Sequence, residues 1–473
     1  MQYLPKTKIT MLSADSRKIK NGGAFLAVQG LQSNGVDFIP MALANGASVI
    51  ITHTQTDTSN IPKGIEVISH DNPRAIFAKM ANEFYQPQPA FFGAVTGTNG
   101  KTSIANFVQQ FWGLLNHKSI AVGTMGMTGS GYEPTASLTT PDPVDLHHAL
   151  QSAKLDKGVT HACVEASSHG LDMCRLDGLA IESAGFTKLS RDHLDYHENM
   201  EQYFTAKARL FSHILCEGGL GVLHKKIPEF YALKSICQSR NINILSYGIK
   251  SGADLDITHY TRTPTGFNIT IQYKGQAIER SVRLAGVFQL ENILCAVGIA
   301  SGAGIDILDL VDLLPKIQGV KGRLEYIGTS PKGADIFVDF AHTPDALESV
   351  LKTMRPHATN SLCVVAGCGG DRDTDKRPIM GKASVELADV VYITDDNPRT
   401  EDAGQIRTDM MVGAIGATEI AGRANAIKTA IEKLEQGDIL IVAGKGHEQG
   451  QIIGTTVHPF DDGDCVKTVL ETL

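Results

Sequence analysis

The stretch Gly97-Thr98-Asn99-Gly100-Lys101-Thr102 carries the densest chemistry in the chain. An apolar run, Phe91-Phe92-Gly93-Ala94-Val95, breaks into these glycines, and apolar residues at helical spacing follow (Ile104, Phe107, Val108, Phe111). A strand–turn–helix corner of this kind aims backbone N–H groups and the positive end of a helix at an anion. Lys101 can reach the outer phosphates of a nucleoside triphosphate, and the Thr102 hydroxyl can sit on Mg²⁺. The first glycine is displaced from the common consensus, because Val95 stands where that glycine would be and Gly97 takes its place. An ordinary structural corner with a chance lysine is the competing reading, and the conjunction of apolar run, glycines and Gly-Lys-Thr argues against it. The pattern predicts binding of ATP or GTP.

Further carboxylates, histidines and a lysine follow. In Cys163-Val164-Glu165-Ala166-Ser167-Ser168-His169-Gly170 an apolar run again meets a turn, and Glu165 stands where a carboxylate can hold a Mg²⁺ that bridges nucleotide phosphates. A solvated strand-end glutamate is the alternative. Ser190-Arg191-Asp192-His193-Leu194-Asp195-Tyr196-His197 is dense in polar groups and reads equally as a ligand set or a polar loop. Met200, Tyr203, Phe204, Leu210 and Phe211 form an apolar stripe at helical spacing, with Lys207 on the same stripe. A lysine so placed either snorkels with a wet amine or is desolvated with a lowered pKa. A neutral amine can add CO₂ and become an anionic carbamate able to bind Mg²⁺.

Near the C-terminus, three apolar runs each end in a polar, glycine-bearing or charged turn. Leu362-Cys363-Val364-Val365-Ala366 precedes Gly367-Cys368-Gly369-Gly370-Asp371-Arg372-Asp373. Val390-Val391-Tyr392-Ile393 precedes Thr394-Asp395-Asp396-Asn397-Pro398-Arg399, and Ile439-Leu440-Ile441-Val442-Ala443 precedes Gly444-Lys445-Gly446-His447-Glu448. Open parallel sheets bind ligands beyond the carboxyl ends of their strands. Turns at three such ends can converge on a small zwitterion, with Arg372 and Arg399 for carboxylates and Glu448 and an aspartate for ammonium groups.

The elements that must position these groups read as strands alternating with helices, the signature of α/β folds. At 473 residues the chain is long enough for several domains. Two soft joints, Tyr85-Gln86-Pro87-Gln88-Pro89 and the loop-like Gly328-Thr329-Ser330-Pro331-Lys332-Gly333, divide it into residues 1–88, 89–326 and 327–473. A formal charge of −8 gives no basic footprint for nucleic acid. The eight cysteines form no Cys-x-x-Cys pair, so neither a zinc site nor a disulfide framework is suggested. Nothing reads as a signal peptide or as an apolar run long enough to span a bilayer. A cytoplasmic protein, without membrane insertion and acting as a monomer, is expected.

The ordered set of motifs resembles the Mur ligase family over nearly the whole chain. It comprises Asp15-Ser16-Arg17, the phosphate turn, Thr139-Thr140-Pro141-Asp142, Glu165-Ala166-Ser167-Ser168-His169-Gly170-Leu171, Asp192-His193-Leu194-Asp195, Lys207 and Gly322-Arg323. Asp339-Phe340-Ala341-His342-Thr343 and the three C-terminal turns complete it. The resemblance implies a small N-terminal α/β domain binding a UDP-substrate, a central P-loop ATPase domain with a mostly parallel sheet, and a C-terminal Rossmann-like α/β domain. It implies that Ser16 contacts the uridine diphosphate part and that Thr139, Thr140, Ser167 and Arg175 hold the sugar–peptide part. Gly97, Thr98, Asn99, Gly100, Lys101 and Thr102, with Asn292, Arg323 and Asp339, would bind ATP. Thr102, Glu165, His193 and a carbamylated Lys207 (N6-carboxylysine) would bind Mg²⁺, with Lys101, Glu165, His193 and Lys207 catalytic. Arg372, Asp396, Asn397, Arg399, Gly444 and Glu448 would bind an incoming amino acid.

The reaction so implied is ATP-dependent. A carboxylate of the D-glutamyl residue in UDP-N-acetylmuramoyl-L-alanyl-D-glutamate takes the γ-phosphate, and the amine of meso-diaminopimelate displaces phosphate from the acyl phosphate, in peptidoglycan precursor synthesis. Alternatives are the same chemistry with L-lysine, a more distant folylpolyglutamate synthetase, and a P-loop switch or motor ATPase acting through partners; no Asn-Lys-x-Asp guanine motif supports a GTPase switch. Lys188, Gln289, Phe340 and Asp375 depart from residues usual in the family, at Gln289 in a nucleotide contact, but none removes a phosphate or metal ligand.

Overall fold

Residues 3–30, 33–132, 138–190, 192, 196–263 and 266–473 are described by the structure, a computed structural model. They divide into two units, Met1–Asp256 with Ile293–Val311 and Ile257–Asn292 with Asp312–Leu473. Among the described residues no helix is long and apolar enough to cross a membrane.

The first unit opens with a parallel sheet of four strands, Met11–Ser13, Gly23–Ala27, Ala47–Thr52 and Glu66–Ser69, in that order. Successive strand residues point to opposite faces. Ala24, Leu26, Val49 and Ile51 therefore join Phe77 and Met80 of the helix Pro73–Phe84 in one core. Phe25, Ala27 and Ile50 join Ile39 and Ala42 in another on the opposite face.

The larger sheet of this unit runs Asn243–Ile249, Leu215–His224, Ile181–Phe186, Phe91–Thr96, His161–Glu165, Ser119–Gly123, Gly126–Thr128. All neighbours are parallel except the last pair. Strands buried on both faces read as continuous apolar runs, and Phe91–Thr96, which sits between two parallel neighbours, is buried along its whole length. Its carboxyl end is thus the natural ligand end of the sheet.

In the second unit a sheet of six strands runs Glu325–Thr329, Asp335–Asp339, Ile439–Ala443, Leu362–Ala366, Val390–Ile393, Thr418–Glu419. It is parallel apart from the antiparallel edge strand Glu325–Thr329. Gly328 and Thr329, expected in a loop, belong to that strand, because pairing along Asp335–Asp339 overrides the weak strand propensity of Gly328. The α/β class expected from the alternation holds throughout, and the three apolar runs that end in polar turns are adjacent strands of one sheet.

Behind these strands the helices Arg423–Lys433 and Asp462–Thr472 are tied by a fully buried ion pair. Arg423 donates from Nε and Nη2 to the two Asp462 oxygens at 2.7 and 2.6 Å, and Nη2 also reaches the Ala443 carbonyl at 2.9 Å. Removing one member of such a pair leaves an uncompensated buried charge. Asp462→Asn should therefore lower the unfolding free energy of this unit by about 3 kcal/mol in a urea titration. A loss below about 1 kcal/mol, the worth of an ordinary hydrogen bond, would show that the pair does not hold the two helices.

Candidate active site

At the end of Phe91–Thr96 the chain turns through Gly97 (φ 141°) and Gly100 (φ 90°) into the helix Lys101–Leu114. A Cβ on Gly97 would lie 1.8 Å from Thr187 Oγ1, so the turn admits no side chain there. The neighbouring strand end braces the turn from outside. Thr187 Oγ1 donates to the Asn99 carbonyl at 2.9 Å, and the Thr98 N–H donates to the Lys188 carbonyl at 2.8 Å. Lys188 contributes this backbone group while its side chain is exposed, so the departure at that position leaves the brace intact. Lys101 Nζ folds onto the carbonyls of Gly97 and Thr98 at 2.9 and 2.8 Å.

Glu165, at the end of the adjacent strand, is buried and turned toward this helix. Thr102 Oγ1 donates to its Oε2 at 3.0 Å, and the Thr124 N–H donates to its Oε1 at 3.1 Å. A Cβ on Gly123 would lie 1.9 Å from Oε1, so that glycine makes room for the carboxylate. Thr124 Oγ1 lies 3.0 Å from Thr139 Oγ1, and Thr140 Oγ1 donates to the Glu165 carbonyl at 2.8 Å while lying 2.9 Å from Ser167 Oγ. Arg175 Nη1 reaches the Thr140 carbonyl at 2.7 Å. Thr102, Thr139, Thr140, Glu165, Ser167 and Arg175, scattered in sequence, are thus one hydrogen-bonded cluster. Ser16 is not part of that cluster: it is buried at the start of the short turn Ser16–Lys18, between the first two strands of the N-terminal sheet.

Lys207 completes this end of the sheet. Asn199 caps its helix, Met200–Arg209, by accepting the Gln202 N–H. Tyr203, Leu210 and Phe211 of the expected stripe are buried, whereas Met200 is exposed. Lys207 is 1% exposed, which decides between the two readings of the sequence: its amine is desolvated, not wet. Nζ donates to the Gly97 carbonyl at 2.9 Å and lies 4.6 Å from the Tyr203 ring centroid. Burial, reinforced by the positive charge of Lys101, holds its pKa well below the ordinary lysine value against a weaker opposing pull from Asp192. His193 lies outside the described residues.

In the second unit Asp339 accepts the backbone N–H groups of Leu324 and Ala341 at 2.7 and 2.8 Å. Burial raises its pKa to about 6, although Arg323 and these N–H groups pull the other way. The Arg323 guanidinium lies 4.7 Å from the Phe340 ring centroid, so phenylalanine at that position supplies a stacking face. Asn292 donates from Nδ2 to Gln289 Oε1 at 2.9 Å, both side chains buried. The glutamine that departs from the family pattern thereby orients the asparagine.

The three C-terminal turns do converge. Gly370 N–H donates to the Asn397 carbonyl at 2.9 Å, and Asn397 Nδ2 donates to Glu448 Oε2 at 2.8 Å. A Cβ on Gly444 would lie 2.6 Å from Asp396 Oδ2. Arg399 Nη1 reaches the Gly370 carbonyl at 2.7 Å, and Arg372 is exposed beside the same turn, donating to the Asp371 carbonyl at 3.2 Å. Burial alone would raise the Glu448 pKa, but the Lys445 charge and the bonds from Lys445 and Asn397 outweigh it and hold the carboxyl below its usual range.

Sequence reasoning missed three members. Thr124 follows the strand Ser119–Gly123 and could have been suspected from that position alone. Tyr203 was read only as part of an apolar stripe. Lys445 is buried, with its Nζ 3.0 Å from Asn397 Oδ1 and 2.9 Å from Glu448 Oε2; its signal was the lysine inside a glycine-rich turn.

Among the described residues no three His, Cys, Asp or Glu side chains converge as a ready metal cage. The Thr102 hydroxyl and Glu165 carboxylate beside the phosphate turn are hard oxygen donors. They fit Mg²⁺, which uses one or two protein oxygens together with substrate phosphates rather than a full protein cage.

The chain matches known proteins along most of its length. Residues 8–91 match the Mur ligase family catalytic domain, residues 95–300 the Mur ligase middle domain, and residues 322–446 the Mur ligase glutamate ligase domain. A UDP-N-acetylmuramoyl-L-alanyl-D-glutamate–2,6-diaminopimelate ligase of Agrobacterium fabrum is 42% identical over 462 residues, covering 98% of this chain and 93% of that protein. The protein of the same name from Bradyrhizobium diazoefficiens is 42% identical over 466 residues, covering 98% and 95%. A solved structure of a ligase with that name superposes with a TM-score of 0.74 at 36% identity, over 99% of this chain and 96% of the other. With a desolvated lysine and a held glutamate at the phosphate turn and family matches along most of its length, the chain belongs to the Mur ligase family.

Proposed function

We propose that this chain joins meso-diaminopimelate to UDP-N-acetylmuramoyl-L-alanyl-D-glutamate with ATP, through an acyl phosphate, as a monomeric cytoplasmic enzyme of peptidoglycan precursor synthesis. The relatives at 42% identity carry the name of that reaction. The observation that carries the chemistry is the buried Lys207 amine on the Gly97 carbonyl, next to Lys101. Residues 1–88 would take the uridine end at Ser16, 89–326 the phosphates, and 327–473 the incoming amino acid.

Two anions, a carboxylate and a triphosphate, must meet. Lys101 and the N–H groups of the phosphate turn supply fixed positive charge where the transferring phosphoryl group develops negative charge. Burial lowers the Lys207 pKa and so favours the neutral amine, whose lone pair can form an N–C bond to CO₂; one proton leaves and an anionic carbamate remains. Thr102, Glu165, His193 and that carbamate would hold Mg²⁺, which when bound supplies further charge stabilisation at the phosphates. Thr139, Thr140, Ser167 and Arg175 orient the sugar–peptide so that its D-glutamyl carboxylate faces the phosphate turn. Asn292, Arg323 and Asp339 serve the nucleotide. Arg372, Asp396, Asn397, Arg399, Gly444 and Glu448 bind the amino acid, with Glu448 kept ionised as an acceptor for an ammonium group.

Lys207→Ala should lower ligase turnover about a hundredfold through lost metal positioning. Protein equilibrated with carbon-13-labelled bicarbonate should show a carbamate carbon signal that the variant lacks. A variant of unchanged turnover would remove Lys207 from the mechanism.

Diaminopimelate carries a second carboxylate that lysine lacks, and a guanidinium such as Arg399 matches it in charge and fork geometry. Sites built around a polar substrate group reject analogues without it by roughly ten-thousandfold. Turnover measured side by side should favour meso-diaminopimelate over L-lysine on that scale. Comparable kcat/KM values would overturn the choice of amino acid while leaving ligase chemistry in place.

A further inference from the structure

A short hairpin, Gly450–Ile453 paired with Thr456–Pro459, begins two residues beyond Glu448 and has no part in the six-stranded sheet. It is bound instead to the turn Asp396-Asn397-Pro398-Arg399. The Arg399 N–H donates to the Ile452 carbonyl at 3.0 Å, and the Gly454 N–H donates to the Arg399 carbonyl at 2.6 Å. The Ile452 N–H donates to Asn397 Oδ1 at 2.9 Å, and Gln451 Nε2 donates to the Asp396 carbonyl at 2.6 Å.

These contacts hold a backbone that would not hold itself. Arg399 has φ 52°, the left-handed region that a residue with a long side chain adopts only when its surroundings impose it. The Asn397 amide is fixed at both ends: its oxygen accepts from Lys445 and Ile452, and its nitrogen donates to Glu448. Gly369 supplies the remaining constraint. A Cβ there would lie 2.7 Å from Arg399 Nη1, with its next neighbour, the Asn397 carbonyl, at 3.6 Å. Gly369 is outside the left-handed region, so its lack of a side chain serves the space for the guanidinium rather than the turn.

We propose that the hairpin Gly450–Pro459 and Gly369 are specificity-determining elements that fix where the Arg399 guanidinium points, and through it which far end of the incoming amino acid is accepted. This rests on the assignment of Arg399 to that amino acid. The hairpin residues act through Arg399 and are positioning residues. A hairpin that merely stabilised the fold would affect all substrates alike; one that aims Arg399 affects the amino acid alone and discriminates between its far ends.

The test uses the full-length enzyme and four variants. Gly369→Ala crowds the guanidinium, Ile452→Pro removes the N–H that Asn397 accepts, Gln451→Leu removes the bond to the Asp396 carbonyl, and Arg399→Ala is the reference. Gly369→Ala and Gln451→Leu leave the hairpin backbone donors and acceptors in place, so the test does not depend on Ile452→Pro folding. Gly369→Ala and Ile452→Pro should each raise KM for meso-diaminopimelate at least about tenfold, with Gln451→Leu smaller in the same direction. KM for ATP and for the nucleotide-sugar should stay within about twofold, and the kcat/KM preference for meso-diaminopimelate over L-lysine should fall by the same factor as the KM rise. If Arg399→Ala loses the preference while Gly369→Ala and Gln451→Leu keep it, the positioning role is overturned and the amino-acid assignment stands. If Arg399→Ala itself keeps the preference, the assignment fails and the proposal with it. A uniform drop in kcat with every KM unchanged also overturns the proposal.

Discussion

Lys207 is 1% exposed, and its amine donates to the Gly97 carbonyl with no carboxylate of the described residues at ion-pair distance. Burying an ammonium group this way costs several kcal/mol, which pushes the pKa of the amine down and favours its neutral form. The same carbonyl accepts from Lys101. Two amines on one oxygen add repulsion to desolvation, and both favour a neutral Lys207. The shape of the phosphate turn and the protonation of a helix lysine are therefore one constraint. Gly97 supplies the oxygen, tolerates no side chain because of Thr187, and is braced by the strand end that carries Thr187. Around that point the parallel strands present Glu165 and Thr124 from neighbouring carboxyl ends, so the cluster is a property of the sheet and not of any one loop.

The C-terminal turns solve the opposite problem. Lys445 is also buried, but Glu448 is its partner at 2.9 Å. Behind the same strand end Arg423 is matched by Asp462 in a fork geometry. Charges that stay charged are paired here, and Glu448 is left ionised with Asn397 fixed beside it. A buried lysine with no carboxylate at ion-pair distance among the described residues is suited to react; one with such a carboxylate is suited to position its neighbours. The molecule uses both, in separate units.

Where chemistry depended on residues close in sequence, it was legible. The phosphate turn, the stripe carrying Lys207 and the three strand-end turns are local patterns, and each lies where its pattern implied, apart from the exposed Met200 at the start of the stripe. Spacing could not choose between a wet and a dry Lys207 amine, because that depends on Tyr203, Leu210 and Phe211 being covered by the rest of the fold. Nor could it reveal that Thr124 holds Glu165 across 41 positions, or that Ile452 reaches Asn397 across 55. Gly328 has poor strand propensity and is drawn, with Thr329, into an edge strand by register with the nearby Asp335–Asp339. Long-range contacts decided the covering of Lys207 and the reach of Thr124 and Ile452, and nothing in a window of ten or fifteen residues encodes them. The family resemblance supplied roles for Ser16 and Asn292 that local chemistry would not have assigned.

The central claim is that the phosphate turn delivers the γ-phosphoryl group to a substrate carboxylate and that an amine then takes the acyl group. ADP release, followed with ATP, UDP-N-acetylmuramoyl-L-alanyl-D-glutamate and meso-diaminopimelate each omitted in turn, tests it most directly. The account predicts sustained ADP release only when all three are present, in step with phosphate and with one new amide bond per ADP. Sustained ATP turnover that ignores both the nucleotide-sugar and the amino acid would contradict it, and would return the chain to the reading of a switch or motor ATPase.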